Sequence, residues 1–155
     1  MKNIFKMLML CFLSIISTSC LESGLEELPA YDSAEITTVS GVYYRYISDE
    51  IAPGTDEPVV KDIDLNYKGT VDKEAASVAI EVSTRAGFPA EQLGNLSKSN
   101  LVVVISISTA ARIFPVGDAP KLGVPADWSK AHTYEVHAAD GTIKKWTIEV
   151  TTLTK

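Results

Sequence analysis

His132–Thr152, HTYEVHAADGTIKKWTIEVTT, decides the fold. Large apolar groups recur at every second position on both sides of Asp140-Gly141: Tyr134 and Val136 before it, Trp146, Ile148 and Val150 after it. A period of two gathers each set on one face of a strand, so the stretch predicts a hairpin with one buried side. Loop length then fixes which residues meet. A two-residue Asp140-Gly141 turn would set Tyr134 opposite Thr147 and send Trp146 to the other face. A three-residue loop, Ala139-Asp140-Gly141, sets Tyr134 opposite Trp146 and Val136 opposite Lys144, which keeps the large apolar groups on one side. Such loops place a residue in the left-handed region beside a bulge, and Gly141 stands there. The three-residue loop is therefore expected.

Upstream segments repeat the same period. Val78, Ile80 and Val82 alternate with Ala79, Glu81 and Ser83, and Ile63, Leu65 and Tyr67 alternate with Asp62, Asp64 and Asn66. Leu101–Ile107 is rich in β-branched residues and nearly continuous, as in a central strand covered on both faces. Thr37–Ile47 and a short piece at Arg112–Pro115 bring the expected total to about seven strands. Only Pro89–Leu93 reads as helical, for a single turn. Pro53-Gly54, Lys68-Gly69, Gly94-Asn95 and Gly117-Asp118 supply turns between them. The expected fold is all-β: an antiparallel immunoglobulin-like β-sandwich over residues 35–155, where about 120 residues is the usual domain size. Composition agrees, with 46% hydrophobic and 22% charged residues in a chain of 155. Twenty acids against fourteen bases give a charge of −6, which argues against a nucleic-acid partner.

The N-terminus carries an address. Lys2 and Lys6 precede an apolar run, Met7–Ile16, and Ser17-Thr18-Ser19 leads into Cys20. A basic start, a short apolar centre and a small-residue exit form a secretory signal, and ten residues fall well short of the roughly 20 that span a bilayer. Ile16-Ser17-Thr18-Ser19-Cys20 resembles the lipobox of bacterial lipoproteins, which implies cleavage after residue 19 and acylation of Cys20. Residues 1–19 then form the signal peptide, and residues 20–34 the acylated Cys and a flexible acidic tether containing Glu22, Glu26, Glu27 and Asp32. Cleavage removes Lys2, Lys6 and Cys11, leaving 12 bases against 20 acids, a charge of −8. The exported domain would hold no thiol for a disulfide, a metal site or a nucleophile. Acids shortly after the lipid Cys also resemble the surface-export signal of Bacteroidetes lipoproteins.

A wider resemblance rests on Ile113-Phe114-Pro115, Asp127-Trp128-Ser129-Lys130, Tyr134-Glu135-Val136, Ala139-Asp140-Gly141 and Trp146-Thr147-Ile148-Glu149-Val150. Together they resemble a recurrent Ig-like domain of uncharacterised function found in Bacteroidetes surface lipoproteins, often at the N-terminus of longer proteins from glycan-utilisation loci. The resemblance is closest over residues 95–152. It implies an outer-membrane, lipid-anchored location, facing either the surface or the periplasm, and a part in glycan uptake. The chain stops at Lys155, directly after the domain, so the catalytic module of longer relatives is not expected to follow.

The residues themselves offer little chemistry. Asp62, Asp64 and Asn66 occupy the first, third and fifth positions of a calcium loop, but Tyr67 stands where the sharp turn needs Gly and Lys73 where a bidentate Glu is needed. A strand with a polar face explains the same letters, and no metal or cofactor is expected. His132 and His137, five residues apart on a strand, point to opposite faces. No hydrolase or nucleotide-binding pattern is present, and no enzymatic activity is expected. Sugar recognition instead needs an exposed ring and a few fixed polar groups. The candidates are Trp128, flanked by Asp127 and Lys130, and Tyr43, which opposes Tyr44 and Tyr46 on one strand. Both rings have an ordinary packing role open to them. Three functions follow: an accessory or scaffold in a glycan-uptake assembly, a direct binder of polysaccharide, or an adhesion subunit pairing with a neighbouring envelope protein. The membrane, through the N-terminal lipid, is the one partner common to all.

Overall fold

The computed structural model describes residues 30–155. The expected signal peptide, Cys20 and residues 20–29 of the expected tether lie outside the described residues. Two sheets pack face to face, built from β1 (Ile36–Ile51), β2 (Pro58–Asp64), β3 (Asn66–Asp72), β4 (Ser77–Ser83), β5 (Leu101–Ile107), β6 (Arg112–Pro115), β7 (Pro125–Ala126), β8 (His132–His137) and β9 (Ile143–Thr154). The first sheet has the order β2-β1-β5-β7 and the second β3-β4-β9-β8-β6. The expected all-β sandwich is thus the fold.

The β8–β9 hairpin has the three-residue loop. Tyr134 pairs with Trp146 and Val136 with Lys144. Ala138 N donates to Thr142 O, Gly141 N donates to Ala138 O, and Gly141 takes a φ of 94°. Tyr134, Val136, Trp146, Ile148 and Val150 all lie in the core, facing Ile36, Val42, Tyr44, Leu101 and Val103 of the first sheet.

Three expectations need correction. Nine strands form among the described residues, because the alternating run through Ile63, Leu65 and Tyr67 is two strands rather than one and Pro125–Ala126 adds a further short strand. The break falls at Leu65, whose buried side chain and N–H bond to Val42 O (3.0 Å) turn the corner from the first sheet to the second. Secondly, β4 and β9 run parallel, while every other pair is antiparallel. These two are joined through the other sheet rather than by a hairpin, so no turn forces them to oppose. Thirdly, β5 is covered on both faces only at Leu101–Val103; β7 is two residues long and pairs with Leu101 and Val102 alone, leaving the rest of β5 half-buried.

The sandwich has two poles. One gathers the β3–β4, β5–β6 and β8–β9 loops and the start of β1; the other carries the β1–β2 turn and the long β4–β5 and β6–β8 segments. At the first pole the chain before β1 is bonded down. Asp140 N donates to Tyr31 O (3.2 Å), Trp146 Nε1 donates to Ala34 O (3.0 Å), and Lys144 Nζ reaches Glu35 Oε1 at 2.8 Å while lying 4.9 Å from the Trp146 ring centre.

Candidate functional site

Trp128 sits between β7 and β8. A 3-10 turn at Lys98–Asn100, capped reciprocally by Ser97 and Asn100, presents Lys98 O to Trp128 N at 2.7 Å. The indole is 0% exposed, its Nε1 donates to Leu101 O at 3.1 Å, and its ring meets His132 edge-on and lies nearly parallel to Tyr134. His132 Nε2 is 2.8 Å from Asp127 O; a carbonyl only accepts, so this nitrogen carries the proton. The flanking charges are engaged elsewhere. Asp127 accepts from Ser129 N at 2.9 Å, and that serine holds its carboxyl below the usual carboxylate range. Lys130 pairs with Asp118, which lowers the Asp118 carboxyl and raises the Lys130 ammonium. Trp128, Asp127 and Lys130 therefore do not converge on a ligand surface, and the indole has no free face for a sugar.

Tyr43 is half-buried on the outer face of the first sheet. Its ring lies over Gly41, where a β-carbon would sit 2.5 Å from the phenol oxygen and 2.6 Å from the ring edge. Glycine at 41 thus lets the ring lie along its own strand. Next to it, Arg45 holds Asp62 through two bonds of 2.6 and 2.8 Å, keeping that carboxyl below its usual range, and Arg85 holds Asp64 at 3.0 Å. Asn66 Nδ2 donates to Thr84 O. The three oxygen-bearing side chains of the calcium-like stretch are divided between two sheets, and each is engaged by a protein group. Melting temperature is accordingly expected to be the same with and without chelator; a fall of several degrees measured by calorimetry would contradict this.

A concave surface lies on the other face of β1. Phe88, Tyr44 and Tyr46 form a column, with Tyr44 and Phe88 5.9 Å apart and Tyr44 and Tyr46 stacked at 5.8 Å and 10°. Tyr44 is buried, and its Oη donates to Gln92 Oε1 at 3.1 Å from the 3-10 turn Ala90–Gln92. Burial raises the Tyr44 phenol above its ordinary value, with Tyr46 adding to the shift. Tyr46 is only half-buried, because β1 is 16 residues long and runs past the strands that cover it. Beyond Tyr46 lies a cavity of about 380 Å³, lined by Tyr46, Ser48, Asp49, Lys61, Glu91 and Gln92 among others. Lys61 stands opposite Tyr46 on β2 and pairs with Glu50, which raises its ammonium.

Sequence reasoning placed Tyr46 on a face shared with Tyr44 and missed this cavity. The available signal was the change from aromatic to charged residues between Tyr46 and Glu50, which marks where the strand leaves its cover. On the outer side of the same hairpin, Ile47 and Val60 pair across the strands and are 69% and 57% exposed.

The profile of a family described as DUF5018-related matches residues 36–149. A crystal structure of a protein from Bacteroides fragilis NCTC 9343, inferred to be secreted, superposes with a TM-score of 0.72 at 42% identity, covering 82% of this chain and 100% of that one. No curated protein matches the chain.

Proposed function

The chain belongs to the DUF5018-related family, and from that premise we propose that it is a non-catalytic, lipid-anchored module of the outer membrane, an accessory or scaffold in a glycan-uptake assembly. The secreted character inferred for the Bacteroides fragilis relative supports a place in the envelope or beyond it. Among the described residues, no helix is long and apolar enough to cross a membrane. The observation that carries the reading is the bonding of residues 31–35 to the β8–β9 hairpin. Through Tyr31, Ala34 and Glu35 the chain leaves the sandwich at one pole. Eleven residue steps from Cys20 to Tyr31 allow at most about 36–40 Å of reach to a membrane. From there β1 rises for 16 residues, roughly 50 Å at the usual strand rise, and carries the Tyr46 cavity to the opposite pole. An anchored domain of this shape holds its concave surface away from the lipid. Both imidazoles are in packing roles, His132 against Trp128 and His137 against Phe114, which fits a binding or spacing module better than a catalyst.

Lipidation is the direct test. Cys20→Ala is expected to abolish incorporation of a fatty-acid analogue and to leave unprocessed or released protein; undiminished labelling would sink the anchored reading.

A second reading, direct binding of carbohydrate, is favoured by the Tyr46 cavity. It joins a half-buried ring to hydroxyl, amide, carboxylate and ammonium groups, the mixture that orients a small polar ligand. Retention on a polysaccharide affinity gel, lost in Tyr46→Leu, is the expected result; no retention across plant, host and microbial polysaccharides would leave the scaffold alone.

A further inference from the structure

We infer that the Tyr46 cavity selects a cationic ring-shaped ligand, a hexosamine unit with a free ammonium group; the inference rests on the carbohydrate-binding reading and specifies its ligand. The aromatic column sets the geometry. Tyr44 covers one face of Tyr46, and Phe88 and the bond from Tyr44 Oη to Gln92 hold Tyr44 in place. The Tyr46 phenol ring is therefore fixed from one side, and the half-buried side chain lines the cavity. Such a ring stacks on the C–H face of a pyranose, and its negative quadrupole favours a cation close to it.

The charges decide the sign. Asp49, Glu50 and Glu91 line the cavity with Lys61 as their one cation, a net charge of −2. Lys61 is held by Glu50, so its ammonium is already neutralised. Among the described residues, Asp49 and Glu91 have no ion-pair partner, and their carboxylates stand free at the rim. An ammonium entering here meets two unpaired carboxylates and a tyrosine ring, with the Lys61 ammonium across from Tyr46 already paired to Glu50. A uronic acid meets the same groups with repulsion, and a neutral sugar gains only the stacking and its hydroxyl bonds, each of which replaces a bond to water. Gln92 adds orientation: its Oε1 accepts from Tyr44 Oη and Asn95 Nδ2, which leaves the amide N–H groups as donors to a ligand hydroxyl. The volume, about 380 Å³, falls toward the small end of ligand sites, which run from roughly 300 to 1,000 Å³, and suits a short saccharide.

The test uses the acylated mature chain in detergent, titrated calorimetrically at low salt and mildly acidic pH. The two probes are a tetramer of glucosamine with free amines and the same tetramer fully N-acetylated. The free-amine form is expected to bind at least tenfold more tightly, with the advantage collapsing at about 0.5 M salt as the carboxylates are screened. Glu91→Gln, at an exposed position, is expected to reduce that preference several-fold without moving the melting temperature. Tyr46→Leu is expected to weaken both tetramers. Equal affinity for the two tetramers would overturn the cationic ligand while keeping the carbohydrate reading. A preference untouched by Glu91→Gln and Tyr46→Leu would overturn the site. No binding of either tetramer, with neutral polysaccharides still retained, would overturn the ligand class alone; no binding of any saccharide would overturn both.

Discussion

Trp128→Ala is expected to destabilise the domain by about 3–5 kcal/mol, enough to lower its melting temperature by roughly 10–20 °C at this size. The indole is fully buried where the β7–β8 connection meets the core, against His132 and Tyr134. Its removal also strips Leu101 O of its donor at the one place where β5 is covered on both faces. Trp128→Phe separates the two effects: it keeps most of the packing and loses the hydrogen bond, for about 1 kcal/mol. Scanning calorimetry of both variants provides the check. An unchanged melting temperature in the alanine variant would mean that the ring is not where the core needs it.

Deleting Lys145 is expected to remove cooperative folding altogether. With the three-residue loop kept, Trp146 would take the place of Lys145 opposite Glu135 and turn to solvent, and Ile148 and Val150 would turn with it. Trp146 also donates to Ala34 O and lies beneath Lys144, so the bonds that hold the N-terminal segment are lost with it. The combined loss is comparable with the whole stability of a small domain, about 5–15 kcal/mol. Near-ultraviolet circular dichroism and denaturant titration would register it as a missing transition. A cooperative transition with Trp146 still shielded would show that pairing of β9 with β4 overrides the turn.

The hairpin was readable because each of its signals is local: a period of two, an Asp-Gly pair, and one loop length that reconciles them. Leu65 was not. Alternation runs unbroken from Asp62 to Tyr67, since a strand that changes sheets at a corner keeps its inward and outward residues in the same order. The parallel pairing of β4 with β9 was hidden for a different reason: partners distant in the chain are chosen by the packing of the whole, and no residue between Ser77 and Ser83 encodes the direction of a neighbour. At the candidate site, Asp127 and Lys130 beside Trp128 gave a misleading indication of exposure. Their charges are spent on Ser129 and Asp118, outside the indole's surroundings. Tyr46 was recognisable as an inward residue, but its partial exposure depends on how far β1 outruns its cover, which is a property of the other strands.

The course of β1 has a mechanical consequence. It lies between β2 and β5, laddered to both, and it is the first strand after the segment held by Trp146, Lys144 and Asp140. A load gripped at the β1–β2 turn and resisted by a tether at Cys20 would run through the covalent backbone of β1 itself, from one end of the strand to the other. The strand is already near full extension, so it has little slack to give, and the ladders to β2 and β5 bear none of the load. Traction along this axis therefore leaves the sandwich intact, whereas the same force applied sideways at the two-residue β7 would unzip it from an edge.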